Sequence, residues 1–158
     1  MSDLIETYLH LLQEVNDDVV YDTYNSLDVD KNKSLKKQLR TMTLSGKVEN
    51  SAMKQYLADM RVLGDDALKD DKIVVARVGE QLVGWSYLSR ISNSRFDTGV
   101  YVKNAYRNLG IGSKLVQMAK NAAGATHVQS MPYDKKTATF FKKNDLLDKH
   151  DAERYKIK

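Results

Sequence analysis

Between Val100 and Leu115 the chain reads Val-Tyr-Val-Lys-Asn-Ala-Tyr-Arg-Asn-Leu-Gly-Ile-Gly-Ser-Lys-Leu, an alternating apolar run that passes through two glycines into a helical pattern. A strand, a tight loop and a helix in that order make an anion cradle. The first N–H groups of a helix have no partner inside it, its dipole places positive charge behind them, and glycine lets a phosphate approach the backbone. A pyrophosphate suits such a cradle. A Walker loop is excluded, because Gly112-Ser113-Lys114 has no glycine five residues upstream. A dinucleotide fingerprint needs a third glycine where Leu115 stands and an acidic residue about twenty positions later at a strand end. Asp134 is near that distance but follows Pro132 at the start of a predicted helix. What remains is Arg-x-x-Gly-x-Gly after a strand, carried by Arg107, Gly110 and Gly112.

That pattern resembles the acetyl-CoA loop of the GNAT N-acetyltransferase superfamily. The resemblance covers about Asp71 to Asn144 and includes Val100, Val102, Tyr106 and Arg107 ahead of the glycines. The segment Asp134 to Leu146 is similar to the family's Asn-x-x-Ala-x-x-Phe-Tyr-x-x-x-Gly-Phe. It departs with Asp134 for Asn, Thr137 for Ala, Phe141 for Tyr and Asp145-Leu146 for Gly-Phe. The resemblance implies a strand that splays from its neighbour, with the pantetheine arm of CoA paired to the backbone of Val100, Tyr101 and Val102. An N–H near Tyr101 or Val102 would polarise the thioester carbonyl. The pyrophosphate would meet Asn108, Leu109, Gly110, Ile111, Gly112 and Ser113, with charge from Arg107 and Lys114. Phe141 completes the expected cofactor set, and Lys143 would meet the 3′-phosphate, the alternative being an exposed helix lysine.

Acetyl transfer requires a neutral amine, and amine pKa values of about 8 to about 10.4 call for a base near neutral pH. Asp97 is the expected base, near the start of the strand where many GNATs carry Glu. The alternative for Asp97 is a solvated strand-end carboxylate. A proton for the leaving thiolate would come from Tyr133 or Tyr101, with Tyr155 more remote, since Phe141 has none to give. Trp85, beside Gly84, reads as core or as a wall of the acceptor cleft.

Composition narrows the chemistry. The 158 residues suit one domain, and 42% hydrophobic with 29% charged residues is the balance of a soluble globular protein. With no cysteine, thiolate nucleophiles, thiolate metal sites and disulfides are excluded. His10, His127 and His150 lack metal-ligand spacing, so no metal is expected. The net charge of +4 suits a polyanionic cosubstrate and is small for nucleic-acid binding. The C-terminal lysines read as a solvated surface. No apolar run is long enough for a membrane span and the start lacks a signal-peptide pattern, so a cytoplasmic protein with no membrane partner is expected.

The elements that must position these residues follow from periodicity. Leu4, Tyr8, Leu11, Leu12 and Val15 predict an opening helix, Leu35, Leu39 and Met42 another ending near Gly46, and Met53, Leu57 and Met60 a third ending at Gly64. Val19-Val20-Tyr21 is embedded in the helical pattern, and the family's first strand is not expected there. From Lys72 the period becomes two. Residues 73–78 and 82–88 form a hairpin, and strands follow over 96–103 and 126–131. Ile111, Leu115, Met118, Ala119 and Ala122 stripe one helix, a second covers about 135–143, and a closing strand is expected near 154–157. The expected fold is α/β (α+β): a GNAT-like mixed, mostly antiparallel sheet with flanking helices. It is one domain over 1–158, with a helical acceptor-side region over 1–70, an acetyl-CoA-binding core over 71–146 and a closing strand within 147–158. The expected activity is acetyl transfer from acetyl-CoA to the amine of a small molecule or protein. The alternatives are a GNAT-fold binding module without efficient transfer and a nucleic-acid-associated modifier, and a homodimer through a self-pairing closing strand is an open option.

Overall fold

A computed structural model describes residues 2–44, 51–60, 62–93, 95–124, 127–130, 132 and 134–158. Its elements are α1 (Ser2–Asp17), β1 (Val19–Asn25), α2 (Ser26–Lys31), α3 (Lys33–Leu44), α4 (Ser51–Asp59), α5 (Asp65–Leu68), β2 (Lys72–Val78), β3 (Gln81–Ser92), β4 (Arg95–Val102), α6 (Ile111–Ala122), β5 (His127–Gln129), α7 (Lys135–Lys143) and α8 (Lys149–Arg154). The five strands lie in sequence order, antiparallel from β1 to β4, with β5 parallel to β4. The mixed, mostly antiparallel sheet with flanking helices is as expected. Among the described residues no helix is long and apolar enough to cross a membrane.

Period-two burial places a helical layer on each face of the sheet. On one face Ile73, Val75, Trp85, Tyr87 and Tyr101 meet the predicted stripes of α3 and α4, Leu35, Leu39, Met42, Met53, Leu57 and Met60. On the other, Val74, Ala76, Val83, Leu88 and Phe96 meet Ile111, Leu115 and Ala119 of α6. Trp85 is fully buried and its Nε1–H donates to Thr43 Oγ1 at 2.9 Å, which makes it core rather than cleft wall. The expected end of α3 near Gly46 lies outside the described residues.

Two expectations are corrected. Val19-Val20-Tyr21 is no part of a helix: it opens β1, which pairs with β2 from Val19↔Val78 to Asn25↔Lys72. Three β-branched and two aromatic residues among Val19–Asn25 explain the choice, since Val19 and Tyr21 pack on the α6 side while Tyr24 packs on the α3/α4 side. The N-terminal region therefore has a strand followed by helices, the order that the GNAT resemblance implies. The second correction is the closing strand near 154–157. The chain there is α8, started by Asp148, whose carboxylate accepts from the His150 N–H, and stopped at Tyr155 and Lys156, the latter at φ 56°. A sheet without that strand ends at β5 among the described residues.

At Gly99 the Tyr87 ring of β3 and Met53 of α4 press on β4. A Cβ there would sit 2.7 Å from the Tyr87 ring and 2.8 Å from Met53 Sδ, whereas one at Gly64 would meet nothing within 4 Å. Gly99→Ala is expected to cost about 1–3 kcal/mol by overpacking, read as a lower thermal midpoint. Gly64→Ala should leave the midpoint near wild type, and equal midpoints for the two variants would contradict the packing.

Candidate active site

The site grows from a strand paired fully on one side only. β4 pairs with β3 over its whole length, but with β5, among the described residues, only at Arg95↔His127, Phe96↔Val128 and Asp97↔Gln129. The Ser130 hydroxyl donates to the Thr98 carbonyl at 2.7 Å, and Ser130 N–H turns away to the Leu146 carbonyl at 3.1 Å. The two strands part there. In an antiparallel pair, successive residues turn their N–H and C=O to opposite sides. Lys103 N–H donates to Val83 of β3 at 2.8 Å, and the register has no shift between Phe96 and Val102. Lys103, Tyr101, Gly99 and Asp97 therefore face β3, while Thr98, Val100 and Val102 face the gap. This corrects the expectation for Tyr101: its carbonyl lies against Gly84, 2.9 Å from where a Cβ there would stand, so its peptide is not exposed in the gap. Val100 presents both backbone groups to the gap. At Val102 the carbonyl is taken by Arg107 Nε at 2.8 Å.

From Val102 the chain makes a short 3-10 turn (Asn104–Tyr106) and bends through two left-handed residues, Asn108 at φ 64° and Gly110 at φ 84°. Tyr106 and Leu109 pin this loop to the α6-side core. Gly110 caps α6 with no side-chain hydrogen bond, and Lys114 N–H closes the first turn on the Gly110 carbonyl at 3.1 Å. The N–H groups of Ile111, Gly112 and Ser113 precede that bond and have no acceptor within the helix. No acidic residue sits in this first turn, and Arg107 and Lys114 are exposed beside it. A Cβ at Gly112 would stand 3.4 Å from the Phe140 ring and 3.7 Å from Val102 Cγ2, so the cradle opens directly at the end of the β4 gap.

α7 closes the far wall, held by its Asp134 cap, which accepts from Thr137 N–H at 2.7 Å, and by Asn144, whose Nδ2 reaches Ser113 Oγ at 3.4 Å and the Phe140 carbonyl at 2.9 Å. Its aromatic beside the cradle is Phe140. Phe141, expected in the cofactor set, is buried with Val116 and Leu146 on the core side of the helix. Adjacent helical residues lie about 100° apart, and Ala138 with Phe141 forms the buried edge. Tyr133 lies outside the described residues. The Tyr101 ring is buried on the α3/α4 side of the sheet with the Arg107 guanidinium 5.8 Å from its centroid.

Asp97 sits where the strands part. It is half-buried, Tyr87 OH donates to its Oδ2 at 3.3 Å, and Oδ1 is buried without a hydrogen-bond partner. Burial pushes its carboxyl above the usual range, against smaller opposing effects of the Tyr87 hydroxyl, the Thr98 N–H and Arg95. It is thus neither a solvated strand-end carboxylate nor a satisfied structural one.

The comparisons agree with this fold. The profile of the acetyltransferase (GNAT) domain matches residues 69–145. That stretch, 77 of the 158 residues, is similar to a GNAT acetyltransferase domain. Solved GNAT structures share its fold. A GNAT-family acetyltransferase from Staphylococcus aureus aligns over 80% of this chain and 82% of its own, at 20% identity and TM-score 0.59. A ribosomal-protein-alanine N-acetyltransferase from Brucella melitensis aligns over 79% and 89%, at 15% identity and TM-score 0.51. An aminoglycoside 6′-N-acetyltransferase solved with coenzyme A aligns over 69% of this chain and 57% of its own, at 16% identity and TM-score 0.52. A search of curated protein sequences finds no match.

A raised carboxyl makes a stability prediction with a definite sign. The unfolded Asp97 ionises near pH 4 and the folded one above it, so the buried charge costs stability at neutral pH, and the cost fades as pH falls through the folded value toward about 4. Asp97→Asn is therefore expected to match or exceed the wild-type thermal midpoint at pH 7, with any advantage shrinking toward pH 4. A midpoint well below wild type at pH 7 would make Asp97 a structural group.

Proposed function

We propose that this GNAT-like domain transfers the acetyl group of acetyl-CoA to an amine by direct attack on the thioester, with Asp97 as the base. The observation that carries the reading is the continuity of the β4 gap with the uncapped start of α6, because acetyl-CoA needs both features in that order. The pyrophosphate is assigned to the N–H groups of Ile111, Gly112 and Ser113, with Arg107 and Lys114 adding positive charge. The pantetheine arm runs along the gap as an added strand, against both backbone groups of Val100 and the N–H of Val102. The thioester then lies toward the closed end of the gap, next to Asp97.

The chemistry needs few groups. The amine nitrogen attacks the thioester carbonyl carbon, an outward N–H of β4 steadies the developing oxyanion, the C–S bond breaks, and the amine proton passes to Asp97 Oδ1. A thiol of pKa about 8.5 leaves as thiolate and takes a proton from solvent without an obligatory acid. That suits a site in which Phe141 is core. Neighbours of this fold include an aminoglycoside 6′-N-acetyltransferase and a ribosomal-protein-alanine N-acetyltransferase, so the shared sheet leaves the acceptor open.

Calorimetric titration with acetyl-CoA should give one saturable site, lost or weakened at least tenfold in Gly110→Val, since a β-branched residue at φ 84° distorts the cradle. Asp97→Asn should bind acetyl-CoA like wild type and slow CoA release in an amine panel by about 10²-fold or more. Wild-type rates for Asp97→Asn would remove it as the base. Binding with no turnover on any primary amine would favour the binding-module alternative.

A further inference from the structure

Two buried tyrosines, Tyr56 of α4 and Tyr87 of β3, stack face to face with centroids 4.2 Å apart and planes 7° from parallel. Each aims its hydroxyl at a carboxylate. Tyr56 OH donates to Asp71 Oδ2 at 3.0 Å and shares a 2.7 Å hydrogen bond with Ser26 Oγ, while Arg90 N–H donates to Asp71 Oδ1 at 2.9 Å. Both Asp71 oxygens are therefore satisfied, as expected of a buried structural carboxylate. The second pair is built like the first and left incomplete. Tyr87 OH takes Asp97 Oδ2, and Asp97 Oδ1 is the one buried side-chain polar atom among the described residues with no hydrogen-bond partner.

We propose that Tyr87 is a positioning residue: held by the anchored face of Tyr56, it fixes Asp97 by one oxygen and leaves the other, unpartnered among the described residues, as the acceptor for the proton of the incoming amine. The inference rests on Asp97 being the base. The geometry leaves Tyr87 little freedom, since its ring is also pressed against Gly99, where a Cβ would come within 2.7 Å of it. A rotamer change at Tyr87 would have to break the stack. The groups facing Asp97 are few. From β3 it meets Tyr87, from β4 the Thr98 N–H and Arg95, and from β5 the neutral Gln129 stands opposite, with His127 opposite Arg95. From α4, Asp59 acts on Tyr87. A hydroxyl donating to a carboxylate favours its ionised form, whereas burial opposes it, so Tyr87 keeps a buried base usable near neutral pH.

The test is the titration of Asp97 in full-length protein carrying ¹³C-carboxyl aspartate, with its signal assigned by Asp97→Asn. In Tyr87→Phe, which keeps the ring and the stack, the Asp97 midpoint should move to higher pH while acetyl-CoA affinity stays at the wild-type value. Tyr56→Phe also keeps the stack, so it should move the Asp71 signal and leave Asp97 close to wild type. With any amine that turns over, the acidic limb of kcat/KM should follow the Asp97 midpoint in Tyr87→Phe, with KM for acetyl-CoA unchanged. An Asp97 midpoint that is the same in wild type and Tyr87→Phe would overturn the proposal. Should Tyr87→Phe shift the midpoint while Asp97→Asn keeps full turnover, the base assignment fails and the hydrogen bond between the two residues stands.

Discussion

A strand that is hydrogen-bonded throughout on one side and, among the described residues, paired for three residues on the other leaves backbone groups that no described strand satisfies. β4 is that strand, and the rest of the molecule keeps it so. Ser130 donates its side chain to Thr98 and turns its own N–H to Leu146, which ends the pairing with β5 after Asp97↔Gln129. On the opposite side β3 holds the register without a shift from Phe96 to Val102, so the direction in which each peptide of β4 points is settled. Buried polar backbone is costly when unpaired. A gap lined by Val100 and Val102 is stable where water or a ligand with its own amides can enter.

The helical layers act on the same strand from opposite faces. α6 packs Ile111, Leu115 and Ala119 beneath the sheet, and its uncapped start opens at the end of the gap. α4 packs above, where Met53 and Tyr87 close over Gly99 and leave Asp97 half-buried at the fork. The uncapped start of α6 and the half-buried Asp97 carboxyl thus lie toward the two ends of one strand. Their separation along β4 sets where a thioester must sit if its pyrophosphate is held by α6.

Much of this was legible in the residues. The cradle announced itself through Arg107, Gly110 and Gly112, and the stripes of α3, α4 and α6 followed the helical period. β1 escaped because Val19–Asn25 sits between helices with mixed burial, and an edge strand shows a weak alternation. The closing segment was misread because apolar residues near 154–157 outweighed the Asp148 cap, a signal that was present. Side-chain alternation tells which face Tyr101 occupies. It does not tell which neighbour its peptide faces, which depends on register set by Lys103 and Val83. Phe140 and Phe141 lie next to each other on one short helix, and only the packing of Ala138, Val116 and Leu146 decides which of them is buried. The Tyr56–Tyr87 stack joins residues thirty-one positions apart and left no local pattern.

Amide hydrogen exchange along β4, followed residue by residue with and without acetyl-CoA, reads the central claim most directly. Tyr101 N–H is expected to be protected in both states by β3, whereas Val100 and Val102 N–H should exchange readily alone and become protected when acetyl-CoA is added. Protection of all three without ligand, or no change at Val100 and Val102 on saturation, would contradict a gap built to pair with the cosubstrate.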